Sequence, residues 1–156
     1  MADPRQKSRK RFRGKPVRPL KNFTLYLDES FDSIEVKAAL SKAGYKFRVF
    51  SDHFKKGEED ERILQLCGEH GWAMLTCDKR NRYRELERKA IQRFRVRQFI
   101  FSGNLGGKEL ADLLVDCHPA MRKFAQQNER PFVANVTKNG DIYLRMGKDG
   151  KVRTQS

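Results

Sequence analysis

Short apolar runs alternate with helix-periodic segments along this chain, and that order constrains its fold more than any other feature. Residues 23–27, Phe-Thr-Leu-Tyr-Leu, read as a buried strand that ends in the polar Asp28-Glu29-Ser30. Ile34, Ala38 and Ala39 recur at helical spacing, which predicts a helix over 32–43 closed by Gly44. Lys46–Phe50 is a second short strand, followed by a polar loop from Ser51 to Glu59. A helix over 60–70 turns Ile63, Leu64, Leu66 and Cys67 inward and ends at Gly71; Trp72–Thr76 follows as a third strand. Residues 81–93 form a very basic helix, Val96–Phe101 a fourth strand, and 107–127 a helix interrupted near Pro119. Phe132–Val136 and Ile142–Met146 flank Lys138-Asn139-Gly140-Asp141. Asn-Gly between apolar runs signals a β-hairpin, here within 131–147. Strands alternating with helices predict a three-layer α/β/α domain around a central, mostly parallel sheet.

The charge adds a partner class. The 156 residues hold 34 Lys and Arg against 20 Asp and Glu, a formal net charge of +14. That balance points to a polyanion, nucleic acid first. Residues 1–22 carry nine bases (Arg5, Lys7, Arg9, Lys10, Arg11, Arg13, Lys15, Arg18, Lys21) against Asp3, few apolar side chains and three prolines. Such a segment cannot bury enough surface to offset its ordering entropy, so it reads as a disordered basic tail before a domain over 23–156. The tail serves either solubility or RNA binding through counterion release. A second basic stretch runs from Lys79 to Arg97, with Glu85 and Glu87 as its acids. No apolar run approaches the roughly 20 residues of a membrane span, and no apolar leader opens the chain. Three cysteines without a CxxC pair fit a reducing, cytoplasmic setting, with Cys67, Cys77 and Cys117 as small core residues. His53 reads as a loop residue, His70 and His118 as helix-terminal residues, and Trp72 as core; none has metal-ligand spacing.

Acids fall where an open parallel sheet binds ligands, outside the carboxyl ends of its strands. Asp28-Glu29 follows the first predicted strand and Asp78 the third, while Glu58-Glu59-Asp60-Glu61 opens the helix between. Converging carboxylates repel, so each needs a raised pKa or a bound cation, and hard Mg²⁺ or Mn²⁺ suits oxygen ligands. A carboxylate-held metal within a basic surface is what phosphodiester hydrolysis requires: the metal activates water, and Lys and Arg hold the backbone. Singly, each acid also fits a helix cap or a first-turn position.

The string Leu27-Asp28-Glu29-Ser30, the acidic helix start at Asp60-Glu61, and Gly71-Trp72-Ala73-Met74-Leu75-Thr76-Cys77-Asp78-Lys79-Arg80 resemble the PIN-like domain family. Within it they resemble most the VapC-type toxins of bacterial toxin–antitoxin pairs. In that branch Thr-x-Asp ends the third strand, and an Arg-rich stretch then runs to a Glu, matched here by Arg80, Arg82, Arg84 and Glu87. The resemblance covers residues 24–146 and leaves out the basic tail. It implies a Mg²⁺- or Mn²⁺-dependent endoribonuclease. Asp28, Asp60 and Asp78 are the implied catalytic, metal-holding acids, with Glu61 competing for the place of Asp60. Lys79, Arg80, Arg82 and Arg84 are the implied phosphate contacts. It also implies an RNA substrate, a cognate antitoxin protein shielding the acidic cleft, and dimerisation through apolar helix faces or the terminal hairpin. Relatives often place a large aromatic after the acidic helix start, where this chain has Arg62-Ile63-Leu64.

Two other classes compete. A non-catalytic RNA- or DNA-binding module would share the basic tail and helix and be indifferent to EDTA. A phosphoryl-transfer domain also clusters acids at strand ends, but this chain lacks Asp-x-Asp after its first strand and has Phe101-Ser102-Gly103, not Lys, after its fourth.

Overall fold

The computed structural model describes residues 22–49, 60–77, 85–101 and 105–152. Six strands form one sheet in the order β2-β1-β3-β4-β5-β6: β1 Leu25–Leu27, β2 Phe47–Val49, β3 Ala73–Cys77, β4 Arg97–Phe101, β5 Phe132–Val136 and β6 Ile142–Met146. The first five are parallel, and β6 returns antiparallel to β5 across the predicted hairpin. The connections are a 3-10 turn, Glu29–Phe31, and helices α1 Ile34–Ala43, α2 Asp60–His70, α3 Glu85–Phe94 and α4 Gly107–Gln127. This is the predicted three-layer α/β/α architecture.

The strands alternate sides residue by residue, and both sides are covered. Leu25, Leu27, Leu75, Phe99, Phe101, Ala134 and Val136 form one core with Val36 and Leu40 of α1 and Leu110, Leu114 and Met121 of α4. Tyr26, Met74 and Val133 point the other way, into a smaller core with Ile63, Leu64 and Cys67 of α2 and Ile91 of α3. Cys67 and Cys117 are buried and all three cysteines are free thiols, Cys77 being half-buried. Burial pushes the Cys117 thiol up to about 12, which keeps it protonated.

Three expectations are corrected. The α4 helix runs unbroken through Pro119. Pro119 is exposed, and the helix buries Leu110, Ala111, Leu114 and Cys117 before it and Met121 and Ala125 after it, so packing outweighs the one lost backbone bond. Ile34 does not face the core; it is 81% exposed, and α1 buries Val36 and Leu40 instead. Ser33 sets that start, its hydroxyl accepting from the Val36 N–H at 3.2 Å. His118 is not terminal but buried mid-helix, stacked on Tyr45 at 3.5 Å and edge-on to Phe23. Burial, and the nearby Arg122 charge second, lower its pKa to about 4.

Candidate active site

The chain order creates a switch point. From β1 it crosses by α1 to β2 on one side, then returns by α2 to β3 on the other. The carboxyl ends of β1 and β3 therefore lie side by side with connections leaving in opposite directions, where open sheets bind ligands. Asp28 stands at that place, directly after β1, and its N–H donates to the Leu75 carbonyl at 3.4 Å.

The Asp28 carboxylate is fixed by its surroundings. Oδ1 accepts from the Ser30 N–H at 2.9 Å and from the Ser30 hydroxyl. The Thr76 hydroxyl on β3 bonds the same carboxylate. The Ser30 oxygen in turn accepts from the Cys77 N–H at 3.2 Å, so one hydroxyl links the carboxylate to the end of β3. The turn beneath is held by Phe31, fully buried and edge-on to Phe101 at 5.1 Å. Burying a side chain of that size contributes roughly 1.5–3 kcal/mol, ample to keep a three-residue turn in place.

Asp28 thus serves as the cap its sequence position allowed, but capping leaves acceptor sites on the carboxylate unused. Burial raises its pKa above the ordinary 3.8, and the bonds from Ser30, Thr76 and the backbone only partly oppose that. Among the described residues no basic side chain figures among the influences on it. Its charge reaches the buried Cys67 thiol on α2, which burial first and Asp28 second push upward. A half-buried carboxylate with no cationic side chain against it among the described residues, presenting hard oxygen at a switch point, fits a divalent cation.

Asp60 opens α2, as its first-turn position predicted, and only its backbone is described. The 11-residue helix is about 16 Å long. It enters β3 through Gly71-Trp72 at the opposite edge, and five-residue β3 spans about 17 Å. The start of α2 therefore stands level with the end of β3, on the edge that holds Asp28. Glu61, its competitor, is exposed and pairs with Arg93 of α3 at 3.6 Å. Glu87 lies half-buried on α3. Asp78 and the predicted phosphate contacts Lys79, Arg80, Arg82 and Arg84 lie outside the described residues, as do His53 and the basic tail up to Lys21. Among the described residues, no three His, Cys, Asp or Glu side chains converge as a metal site. Ser30 and Thr76 were not singled out from the sequence as positioning residues; a serine two places after a strand-ending Asp was the available signal.

The profile of the family described as "PIN like domain" matches residues 24–103, half of the chain, from the start of β1 past the end of β4. The chain belongs to the PIN-like domain family. The match contains Asp28, Asp60 and Asp78 in one span. Neither the curated proteins nor the solved structures yield a match. Among the described residues of this PIN-like protein, no helix is long and apolar enough to cross a membrane.

Proposed function

We propose that this PIN-like protein is a Mg²⁺- or Mn²⁺-dependent endoribonuclease, the VapC-type toxin of a toxin–antitoxin pair acting in the cytoplasm. The observation that carries the reading is the half-buried Asp28 carboxylate at the β1/β3 switch point, held by Ser30 and Thr76 and raised in pKa with no cationic neighbour among the described residues. Asp28, Asp60 and Asp78 hold the metal. Once bound there, the metal supplies water activation and neutralises charge at the leaving oxygen. Ser30 and Thr76 orient Asp28, so its oxygens face the site without reorganisation. Lys79, Arg80, Arg82 and Arg84 hold the RNA backbone beside the acids. The net charge of +14 favours encounter with a polyanion.

The test incubates the purified protein with labelled structured and single-stranded RNA in Mn²⁺, Mg²⁺ or EDTA, beside Asp78→Asn. Cleavage that needs metal and disappears in the variant is expected. Cleavage undiminished in a folded Asp78→Asn protein rejects the site. Tight, salt-sensitive binding without cleavage in any metal assigns a non-catalytic RNA- or DNA-binding module instead.

A further inference from the structure

The basic stretch from Lys79 to Arg97 is continuous in sequence, and its last two arginines lie at the amino edge of the sheet. Helix α3 and its turn carry the chain from the carboxyl edge of the sheet to the amino edge, so Arg95 and Arg97 emerge opposite the acids. Arg130, two residues before β5, joins them there. The Arg97 Nη1 donates to the Gly71 carbonyl at 2.9 Å, and the Arg130 Nη1 donates to the Gly68 carbonyl at 3.2 Å. A Cβ built on Gly71 would lie 3.5 Å from the Arg130 Nη1 and 3.9 Å from the Arg97 Nη1, so both guanidinium groups flank one glycine. Each spends one N–H of five on a carbonyl. The Arg97 Nε is buried with no hydrogen-bond partner.

Charge is not balanced at this edge. Glu129, next to Arg130 in sequence, pairs with Lys148 at 2.8 Å. Among the described residues no carboxylate pairs with Arg95, Arg97 or Arg130. Burial, and Arg130 second, lower the Arg97 pKa to about 10. Burial, and Arg95 second, lower that of Arg130. Guanidinium groups that crowd each other and retain unused donors match the fork geometry of a phosphate.

We propose that Arg95, Arg97 and Arg130 form a second phosphate-binding site, on the amino edge of the sheet, that takes a backbone phosphate of the same RNA whose scissile bond lies at the carboxyl edge. This rests on the reading of RNA as the substrate. The two edges are about 17 Å apart along β3, so one strand reaches both only by wrapping the sheet. Edge strand β2 offers the path, its exposed Arg48 lying 6.0 Å over the Trp72 ring, on which His70 stacks at 4.3 Å.

The experiment measures binding in EDTA, so it does not depend on cleavage. Fluorescence anisotropy follows single-stranded RNAs of about 5 and about 20 nucleotides, spanning the usual site sizes of single-strand binders. The proteins are the full chain and Arg95→Asn/Arg130→Gln. Arg95 has φ 58, a conformation asparagine accepts. For the long RNA the salt dependence is expected to fall by roughly 1.4 in slope, about 0.7 per lost contact, with an affinity loss on the order of tenfold at low salt. The short RNA loses less. If the double variant fails to fold, Arg95→Asn alone decides, with a slope change of roughly 0.7. Titrating inorganic phosphate is expected to move the Arg97 Nε–H resonance in ¹⁵N NMR. An unchanged slope for the long RNA overturns the proposal. A resonance shift with an unchanged slope also overturns it, because the edge then takes a small anion only. Failure of the nuclease reading leaves this binding result standing, and the two are separable.

Discussion

The two edges of the sheet carry the same kind of imbalance with opposite sign. At the carboxyl edge Asp28 is a half-buried carboxylate raised in pKa with no cationic neighbour among the described residues. At the amino edge Arg97 and Arg130 are guanidinium groups lowered in pKa beside further positive charge. In each case burial is the leading cause, and nothing among the described residues neutralises the group. Uncompensated charge weakens a fold, so its presence at two edges points to ligands from outside. The signs suit the two ligands proposed above, a hard cation at one edge and a phosphate at the other. The edges also differ in construction. Asp28 is fixed by side-chain hydroxyls across β1 and β3, whereas the arginines are fixed by main-chain carbonyls of α2 and its turn.

The largest expected effect tests whether the carboxyl edge is the chemical one. Asp28→Asn should lower RNA cleavage by more than about 100-fold, the upper end of what loss of a ligand's supporting partner costs. Multiple-turnover cleavage in Mn²⁺ reads this, and equal rates would leave both edges as binding surfaces. Ser30→Ala removes the hydroxyl between Asp28 and the Cys77 N–H while sparing the ligand itself. It should raise the Mn²⁺ concentration needed for half-maximal cleavage by about 10–100-fold. A change in maximal rate at unchanged metal requirement would make Ser30 merely structural.

The interior supplies a control that neither edge should influence. His118 is neutral when folded, with a pKa near 4, against an ordinary value of 6.5. Its stability contribution is present above pH 6.5 and is lost as pH falls toward 4, because only the unfolded chain takes up the proton in that window. His118→Phe should remove on the order of 2 kcal/mol of acid sensitivity there, read by urea unfolding at pH 7 and pH 4.5. The Asp28 sign is opposite. Its raised pKa favours folding while the carboxyl is protonated, and that benefit disappears as pH rises through the folded value. In EDTA at pH 7, Asp28→Asn should therefore be the more stable protein, with the difference closing as pH falls below about 4. Mn²⁺ at about ten times its dissociation constant should stabilise only the wild type, by about 1.4 kcal/mol. Thermal melts in EDTA and Mn²⁺ read both effects, and stabilisation of the variant by metal would place the cation elsewhere.

The alternation of apolar strands and helices, and the Asn139-Gly140 hairpin, were legible because each rests on local periodicity or turn chemistry. So was the place of Asp28, since a polar break after a buried strand marks a sheet edge. The failures share one cause. Pro119 within α4, the exposure of Ile34 and the burial of His118 were each decided by what packs against the helix, and no local propensity carries that information.

By itself the sequence determined the order of elements, the fold class and the acids at strand ends, because those follow from spacing along the chain. Tertiary structure decided which charges share a surface. The run from Lys79 to Arg97 reads as one basic stretch, yet helix α3 spans the depth of the sheet and sends Arg95 and Arg97 to the edge opposite the acids, where Arg130 meets them from far along the chain. Ser30 likewise acquires its role only because β3 lies beside β1 and brings the Cys77 N–H within reach of its oxygen. Electrostatic and hydrogen-bond partners are set by distance in space, and a parallel sheet places strands distant in sequence side by side.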